Sequence, residues 1–196
     1  MTGAQWDARY RAEPDLWTRE PNAPLAQFAG GLEPGRALDL GAGDGRNAIW
    51  LATQGWAVTA IDLSAVALER AAQRAATRGT QLACIVADWH EHDLGEAVFD
   101  LVVVSFMHPR PDDREALFER VARALMPGGH VFTVGVLLAD HGRRGPPGAE
   151  RLYTVQRLRH ALRGFELLRC EEHAYEQEHS TGRREVTDVV AVGRRR

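Results

Sequence analysis

From residue 36 onward, short apolar runs alternate with longer stretches of helical spacing, and this alternation leaves few folds open. A strand, a helix and a second strand in succession pack well only as a crossover unit. A repeat of such units builds a parallel sheet with helices on both faces. Arg36 to Leu40 (RALDL) reads as the first strand. Gly45 to Gln54 sets Ile49, Leu51 and Ala52 at helical spacing, with Gly55 as a stop. Trp56 to Ile61 is the second strand, and Ser64 is placed to cap the helix AVALERAAQRAATR, which closes at Gly79. Leu82 to Ala87 is the third strand. Phe99 to Ser105 (FDLVVVS) is apolar enough to be buried on both faces and makes the fourth.

A helix over Asp113 to Leu125, a turn at Pro127-Gly128-Gly129 and a fifth strand over His130 to Leu137 come next. They are followed by a loop rich in Gly, Pro and Arg (DHGRRGPPGAER) and a helix over Val155 to Leu162. Phe165 to Cys170 and Glu185 to Val192, joined through HSTGRR, are then placed to close the sheet as an antiparallel hairpin. The expected fold class is α/β: a Rossmann-like, doubly wound, mostly parallel seven-stranded sheet with an antiparallel C-terminal hairpin and helices on both faces. The 196 residues, 44% of them apolar, suit one substantial core. The expectation is a single domain over 1–196, with 1–33 a helical lid segment and 36–196 the Rossmann-like core.

Charge and cysteine usage narrow the function classes. With 24 basic and 27 acidic residues the net charge is -3, so the footprint of a nucleic-acid binder is missing, and the Arg194-Arg195-Arg196 run reads as a solvated tail. MTGAQWDARYRAEPD has no signal-peptide core, and no stretch near twenty apolar residues follows; a cytoplasmic protein without membrane partners is expected. Cys84 and Cys170 lie in separate apolar segments outside any C-x-x-C pair, which favours reduced thiols.

The most informative stretch is Leu38-Asp39-Leu40-Gly41-Ala42-Gly43-Asp44-Gly45-Arg46-Asn47, a strand entering a glycine turn that opens a helix. Glycines permit a sharp turn and close ligand approach. The spacing is G-x-G-x-G rather than the G-x-G-x-x-G of dinucleotide sites, and Asp39 stands just before it. A buried carboxylate there repels a pyrophosphate but accepts from amides or a ligand ammonium, which favours an amino-acid moiety. Direct contact with a ligand and a purely structural role in tying down the loop are equally open for Asp39. Asp62 ends the second strand, where a carboxylate can take both hydroxyls of a ribose, and Asp88, followed by Trp89, ends the third, where it can accept from an adenine amino group. The run His90-Glu91-His92-Asp93 has ligand-type side chains, but one-residue spacing in a loop does not aim both imidazoles at one ion, and no metal is expected.

In order along the chain, ALDLGAGDGRN, AVTAIDLS, IVADW, FDLVVVSF and LMPGGHVFTVG resemble the class I S-adenosylmethionine-dependent methyltransferases over nearly the whole length. WDARYRAEPDLWTREPNAPL, GRNAIWLA and HSTGRREVTDVVAVGRR are similar to the small tellurite-resistance-type members. The resemblance implies S-adenosyl-L-methionine as methyl donor and S-adenosyl-L-homocysteine as product. It implies that Asp39, Gly41 and Gly43 line the methionine end, that Asp62 takes the ribose, that Leu63 packs on adenine beside Asp88 and Trp89, and that Ser105 and Phe106 lie beneath the sulfonium. Arg46 and Asn47 open the first core helix in the family manner; for Arg46 an ordinary helix-surface role stands beside cofactor contact.

A sulfonium is an activated methyl donor, so in-line displacement needs mainly alignment, exclusion of water and, for a protonated acceptor, a base. Trp6, Tyr10 and Trp17 supply rings for a lid over a cation or for a staple onto the core; the staple is favoured for Trp6 and Tyr10, the lid for Trp17. His108, in SFMHPR after the fourth strand, is a candidate base, with an idle loop histidine as the competing reading. His179 and Arg183, in the last connection, resemble polar positions near the active site of the subfamily. The arginines of RLYTVQRLRHALRG read as a solvated helix face. The expected partner is a small-molecule acceptor of unspecified atom type, and the protein is expected as a monomer or homodimer. The alternatives are a non-catalytic S-adenosylmethionine sensor and, against the glycine spacing, an NAD(P)-dependent oxidoreductase.

Overall fold

The computed structural model describes residues 1–13, 16–179 and 182–196, the side chains of residues 177–179 and 184 aside. These residues form two compact units, Met1–Asp93 with Glu176–Arg184, and Leu94–Tyr175 with Glu185–Arg196.

The first unit holds α1 (Gly3–Ala12), α2 (Ala23–Ala29), β1 (Arg36–Leu40), α3 (Arg46–Thr53), β2 (Ala57–Asp62), α4 (Ala65–Thr77) and β3 (Ala83–Val86). Its strands run in the order β3-β2-β1, all parallel. The register sets Asp39 opposite Ala60 and Asp62 opposite Val86, so Asp39, Asp62 and Asp88 come out near the carboxyl ends of neighbouring strands. Helix α4 forms as its sequence dictates. Ser64 caps it by accepting from the Ala67 N–H at 3.1 Å, and Ala67, Leu68, Ala71 and Ala75 recur on one buried face. The same cap is shared with α1: the Asp7 carboxylate accepts from Ser64 Oγ at 2.6 Å and from the Val66 N–H at 3.2 Å. The N-terminal helix is thereby tied to the turn that follows β2.

The second unit holds β4 (Phe99–Ser105), α5 (Pro111–Ala124), β5 (Leu125–Val136), α6 (Val155–Ala161) and, apart from Glu176–Arg184, β6 (Glu166–His179) and β7 (Gly182–Arg194), in the order β4-β5-β7-β6. β4 and β5 are parallel, and β5 and β7 antiparallel. Leu101 to Val104 are fully buried, as the unbroken apolar run requires, each contributing about 1.5–3 kcal/mol of hydrophobic burial. The fold class is the expected one: Rossmann-like α/β, seven strands, mostly parallel, with an antiparallel C-terminal pair.

Beyond shifts of one residue at several ends, the elements differ from the sequence expectation in three places. The Pro127-Gly128-Gly129 segment is not a turn ahead of β5 but part of an irregular strand that starts at Leu125. Its backbone is paired with the C-terminal tail, since the Gly128 N–H donates to the Arg195 carbonyl and the Arg195 N–H to that of Gly129. Helix α5 starts at Pro111 instead of Asp113, because proline at the first helical position already has the right φ and lacks only an N–H that would have no partner there. β6 and β7 run well beyond Cys170 and before Glu185, in segments whose charged residues hide the strand pattern.

Candidate functional site

In the first unit, Gly41, Gly43 and Gly45 all take positive φ (73°, 56° and 86°), which explains the G-x-G-x-G spacing directly. A Cβ on Gly43 would stand 2.6 Å from Tyr10 Oη, and one on Gly45 2.6 Å from Ala71 Cβ. Four amides of this turn are occupied. Those of Gly41 and Ala42 donate to the Ile61 carbonyl at 2.8 and 3.0 Å, that of Gly43 to Asp62 Oδ2 at 2.8 Å, and that of Gly45 to the Ala42 carbonyl at 3.0 Å. A turn with its donors consumed is no phosphate cradle. What it presents instead is a carboxylate. Asp39 is 1% exposed and accepts from the Ala48 N–H, while Oδ2 is buried and has no hydrogen-bond partner among the described residues. Burial drives its pKa up from 3.8 to about 7, with the nearby Asp62 charge adding to the rise, against the pull of the Ala48 N–H and the Arg46 charge.

Asp62 is held from both sides: Oδ2 accepts from Gly43 and Oδ1 from the Ser64 N–H at 2.8 Å. Burial raises its pKa, opposed by those amides. Asp88 is more open, and its Oδ1 accepts from the His90 N–H at 2.9 Å and faces His90 Nδ1 at 2.7 Å. Burial pushes its pKa up, but the bonds and charge of His90 outweigh that and hold it below the ordinary carboxylate value. Trp89 is buried, and the His90 ring stacks on it at 3.7 Å between centroids.

The N-terminal segment closes around the glycine turn. Tyr10 is buried with its hydroxyl over Gly43, and Trp17 Nε1 donates to that hydroxyl at 3.0 Å. The Arg9 guanidinium lies 5.6 Å from the Trp6 ring centroid and 5.7 Å from that of Trp17. Arg46 Nη1 donates to Thr18 Oγ1 at 2.8 Å, and Asn47 Oδ1 accepts from the buried Asn22 N–H at 2.9 Å.

In the second unit β4 ends at Ser105, whose Oγ is buried without a partner among the described residues, and Phe106 follows at φ 55°, an unusual conformation for an aromatic residue. His108 accepts the Val136 N–H on Nε2 at 3.1 Å, and the Arg151 side chain donates to its carbonyl at 2.7 Å. Burial lowers its pKa from 6.5 to about 4, against a hydrogen bond to the Phe106 backbone, with the Arg151 and Arg114 charges adding to the fall.

Residues 37–129 match a family model described as a methyltransferase domain. The chain carries this match over just under half of its length. It is 37% identical over 109 residues to the ubiquinone biosynthesis O-methyltransferase of Alkalilimnicola ehrlichii, a match that covers 55% of this chain and 44% of that protein. The chain thus matches less than half the length of that relative. The 1,6-didemethyltoxoflavin-N1-methyltransferase of Burkholderia thailandensis, solved with bound 1,6-didemethyltoxoflavin and S-adenosylhomocysteine, is 26% identical with a TM-score of 0.75 over 98% of this chain and 86% of that one. TehB from Haemophilus influenzae, at 17% identity and a TM-score of 0.74 over 97% of this chain and 67% of that one, shares the fold.

Within the first unit the structure gathers Asp39, Gly41, Gly43, Asp62 and Trp17 around the glycine turn. Leu63 lies in the turn after β2, with its carbonyl against Gly3 of α1. Arg46 and Asn47 are turned toward the N-terminal segment, where they hold Thr18 and Asn22. The geometry speaks against His108 as a general base, since its Nε2 accepts the Val136 N–H and burial pushes its pKa down to about 4. Arg183 is a largely exposed side chain 3.6 Å from Glu176. The side chain of His179 lies outside the described residues. Among the described residues no group of three or more His, Cys, Asp or Glu is placed to hold a metal, and no helix is long and apolar enough to cross a membrane. Sequence reasoning missed Asp7 as a shared cap, the Tyr10 hydroxyl over Gly43 and the His90 contact with Asp88. Of these only the last had a local signal, two residues of complementary chemistry at i and i+2.

Proposed function

We propose that this chain transfers a methyl group from S-adenosylmethionine to a small-molecule acceptor. The observation that carries the assignment is the glycine turn in which the Gly41, Ala42, Gly43 and Gly45 amides are spent within the protein while a buried carboxylate oxygen of Asp39 has no partner among the described residues. Such a site suits an ammonium group and repels a pyrophosphate. Bound S-adenosylmethionine supplies an activated methyl group on a positively charged sulfur.

The residues have distinct tasks in this proposal. Asp39 takes the amino group of the methionine end beside Gly41 and Gly43, and Asp62, oriented by two amides, accepts from the ribose hydroxyls. Leu63 packs on the adenine, and Asp88 reads its amino group. Trp89 supports that subsite from below through His90, because one face of its ring is already covered. Tyr10 and Trp17 exclude water over the turn, while Arg46 and Asn47 act indirectly by fixing the segment that carries them. His108 acts by shaping the end of β4, leaving proton removal to the acceptor's own acidity or to solvent.

Calorimetry with S-adenosylhomocysteine and with NAD, followed by an acceptor panel of thiols, phenols and tellurite read by S-adenosylhomocysteine release, tests the proposal. Binding of the nucleoside thioether with turnover of at least one acceptor is expected. Tight NAD binding without S-adenosylhomocysteine binding would overturn it.

A further inference from the structure

Asp88 is the acidic residue assigned above to the adenine amino group, yet it is 39% exposed and sits in a loop, where a lone carboxylate would rotate freely. Two contacts prevent this, and both come from His90. Its main-chain N–H donates to Asp88 Oδ1 at 2.9 Å, and its Nδ1 faces the same oxygen at 2.7 Å, an arrangement a carboxylate sustains when that nitrogen carries the proton. The imidazole is fixed in turn by stacking on buried Trp89 at 3.7 Å and 29° between planes. The Asp88 carbonyl also accepts from the Glu91 and His92 N–H groups, which closes the loop back on itself. Both His90 bonds fall on Oδ1, so Oδ2 is aimed and holds no hydrogen bond among the described residues.

We infer that His90 is a positioning residue for base selection: through its bond to Asp88 and its stack on Trp89 it presents one carboxylate oxygen as an acceptor for a 6-amino purine. A carboxylate oxygen held in place rewards an amino donor and repels a 6-oxo carbonyl, whereas a freely rotating one can turn toward other donors and discriminates less. The inference rests on the S-adenosylmethionine assignment above and deepens it.

The test is calorimetry on the full chain with S-adenosylhomocysteine and with S-inosylhomocysteine, in which a carbonyl replaces the 6-amino group. The wild type is expected to prefer the amino ligand by about tenfold or more, the scale of one oriented hydrogen bond to a charged group. His90→Ala should compress that preference about three- to fivefold by weakening the amino ligand alone, and His90→Asn, which restores a donor at a similar reach, should recover most of it. Equal weakening of both ligands by His90→Ala, or an unchanged preference, would overturn the positioning role. Failure of the wild type to bind either ligand would instead overturn the cofactor assignment itself, and this inference with it.

Discussion

Asp39→Asn separates folding from function at the glycine turn, because the substitution keeps the shape and the acceptor for the Ala48 N–H while removing the charge. The Asp39 pKa rises from 3.8 to about 7 on folding. Below the lower value the carboxyl is protonated in both states and costs nothing. Between the two values only the folded chain holds the proton, so stability falls as pH rises, and above about 7 the full cost stands, about 4 kcal/mol as an upper figure. Urea unfolding of both proteins by tryptophan fluorescence from pH 4 to 8 should give a difference that grows in favour of the variant across this range and levels off near pH 8. The same variant should bind S-adenosylhomocysteine about 10- to 100-fold more weakly in calorimetry, since the ligand ammonium loses a charged acceptor. A pH-independent stability difference would refute the buried-charge argument, and wild-type ligand affinity would refute the role of Asp39 in holding the amino group.

His108→Gln should act on the opposite limb: the histidine is held neutral with its pKa lowered from 6.5 to about 4, so it makes the wild type lose up to about 3 kcal/mol as pH falls through that window. The variant should lose less, as read from the pH dependence of the urea midpoint, and should retain methyl transfer at neutral pH if His108 is not the base. Arg144→Met removes a guanidinium shared by Asp140 at 2.7 Å and the fully buried Asp188 at 2.6 Å, leaving Asp188 with only the Tyr175 hydroxyl from this network. Since Arg144 is itself partly exposed, a loss of about 2–3 kcal/mol is expected, less than for a fully buried pair, and Asp188→Asn in the same background should restore part of it in a double-mutant cycle. Gly43→Ala combines a positive φ with a collision against Tyr10 Oη, so S-adenosylhomocysteine affinity should fall at least about tenfold, and Tyr10→Phe should rescue the steric share alone.

Parts of the molecule were legible because their cause is local. β4 is an unbroken apolar run, α4 has its Ser64 cap and alanine face, and the three glycines had to adopt positive φ for the chain to turn where it does. The long β6 and β7 were under-read for the opposite reason, since their charged segments are strands through pairing that no local pattern announces. His108 shows the same limit in chemistry. Its residue type and position suggested a base, but whether an imidazole is basic depends on burial and on what its nitrogens meet, and Val136 stands 28 residues away.

The sequence by itself determined the fold class, the family and the identity of the carboxylates at the strand ends, because apolar periodicity, glycine spacing and strand termini are written in consecutive residues. Only the tertiary structure decided what those groups are free to do. The Gly41 and Ala42 amides go to Ile61 and that of Gly43 to Asp62, Asp39 keeps one oxygen without a partner among the described residues, the Tyr10 hydroxyl lies over Gly43, and His90 aims Asp88. Each of these depends on which hydrogen-bonding groups are already satisfied by neighbours, in most cases neighbours distant in sequence, and that accounting exists only once the chain has folded.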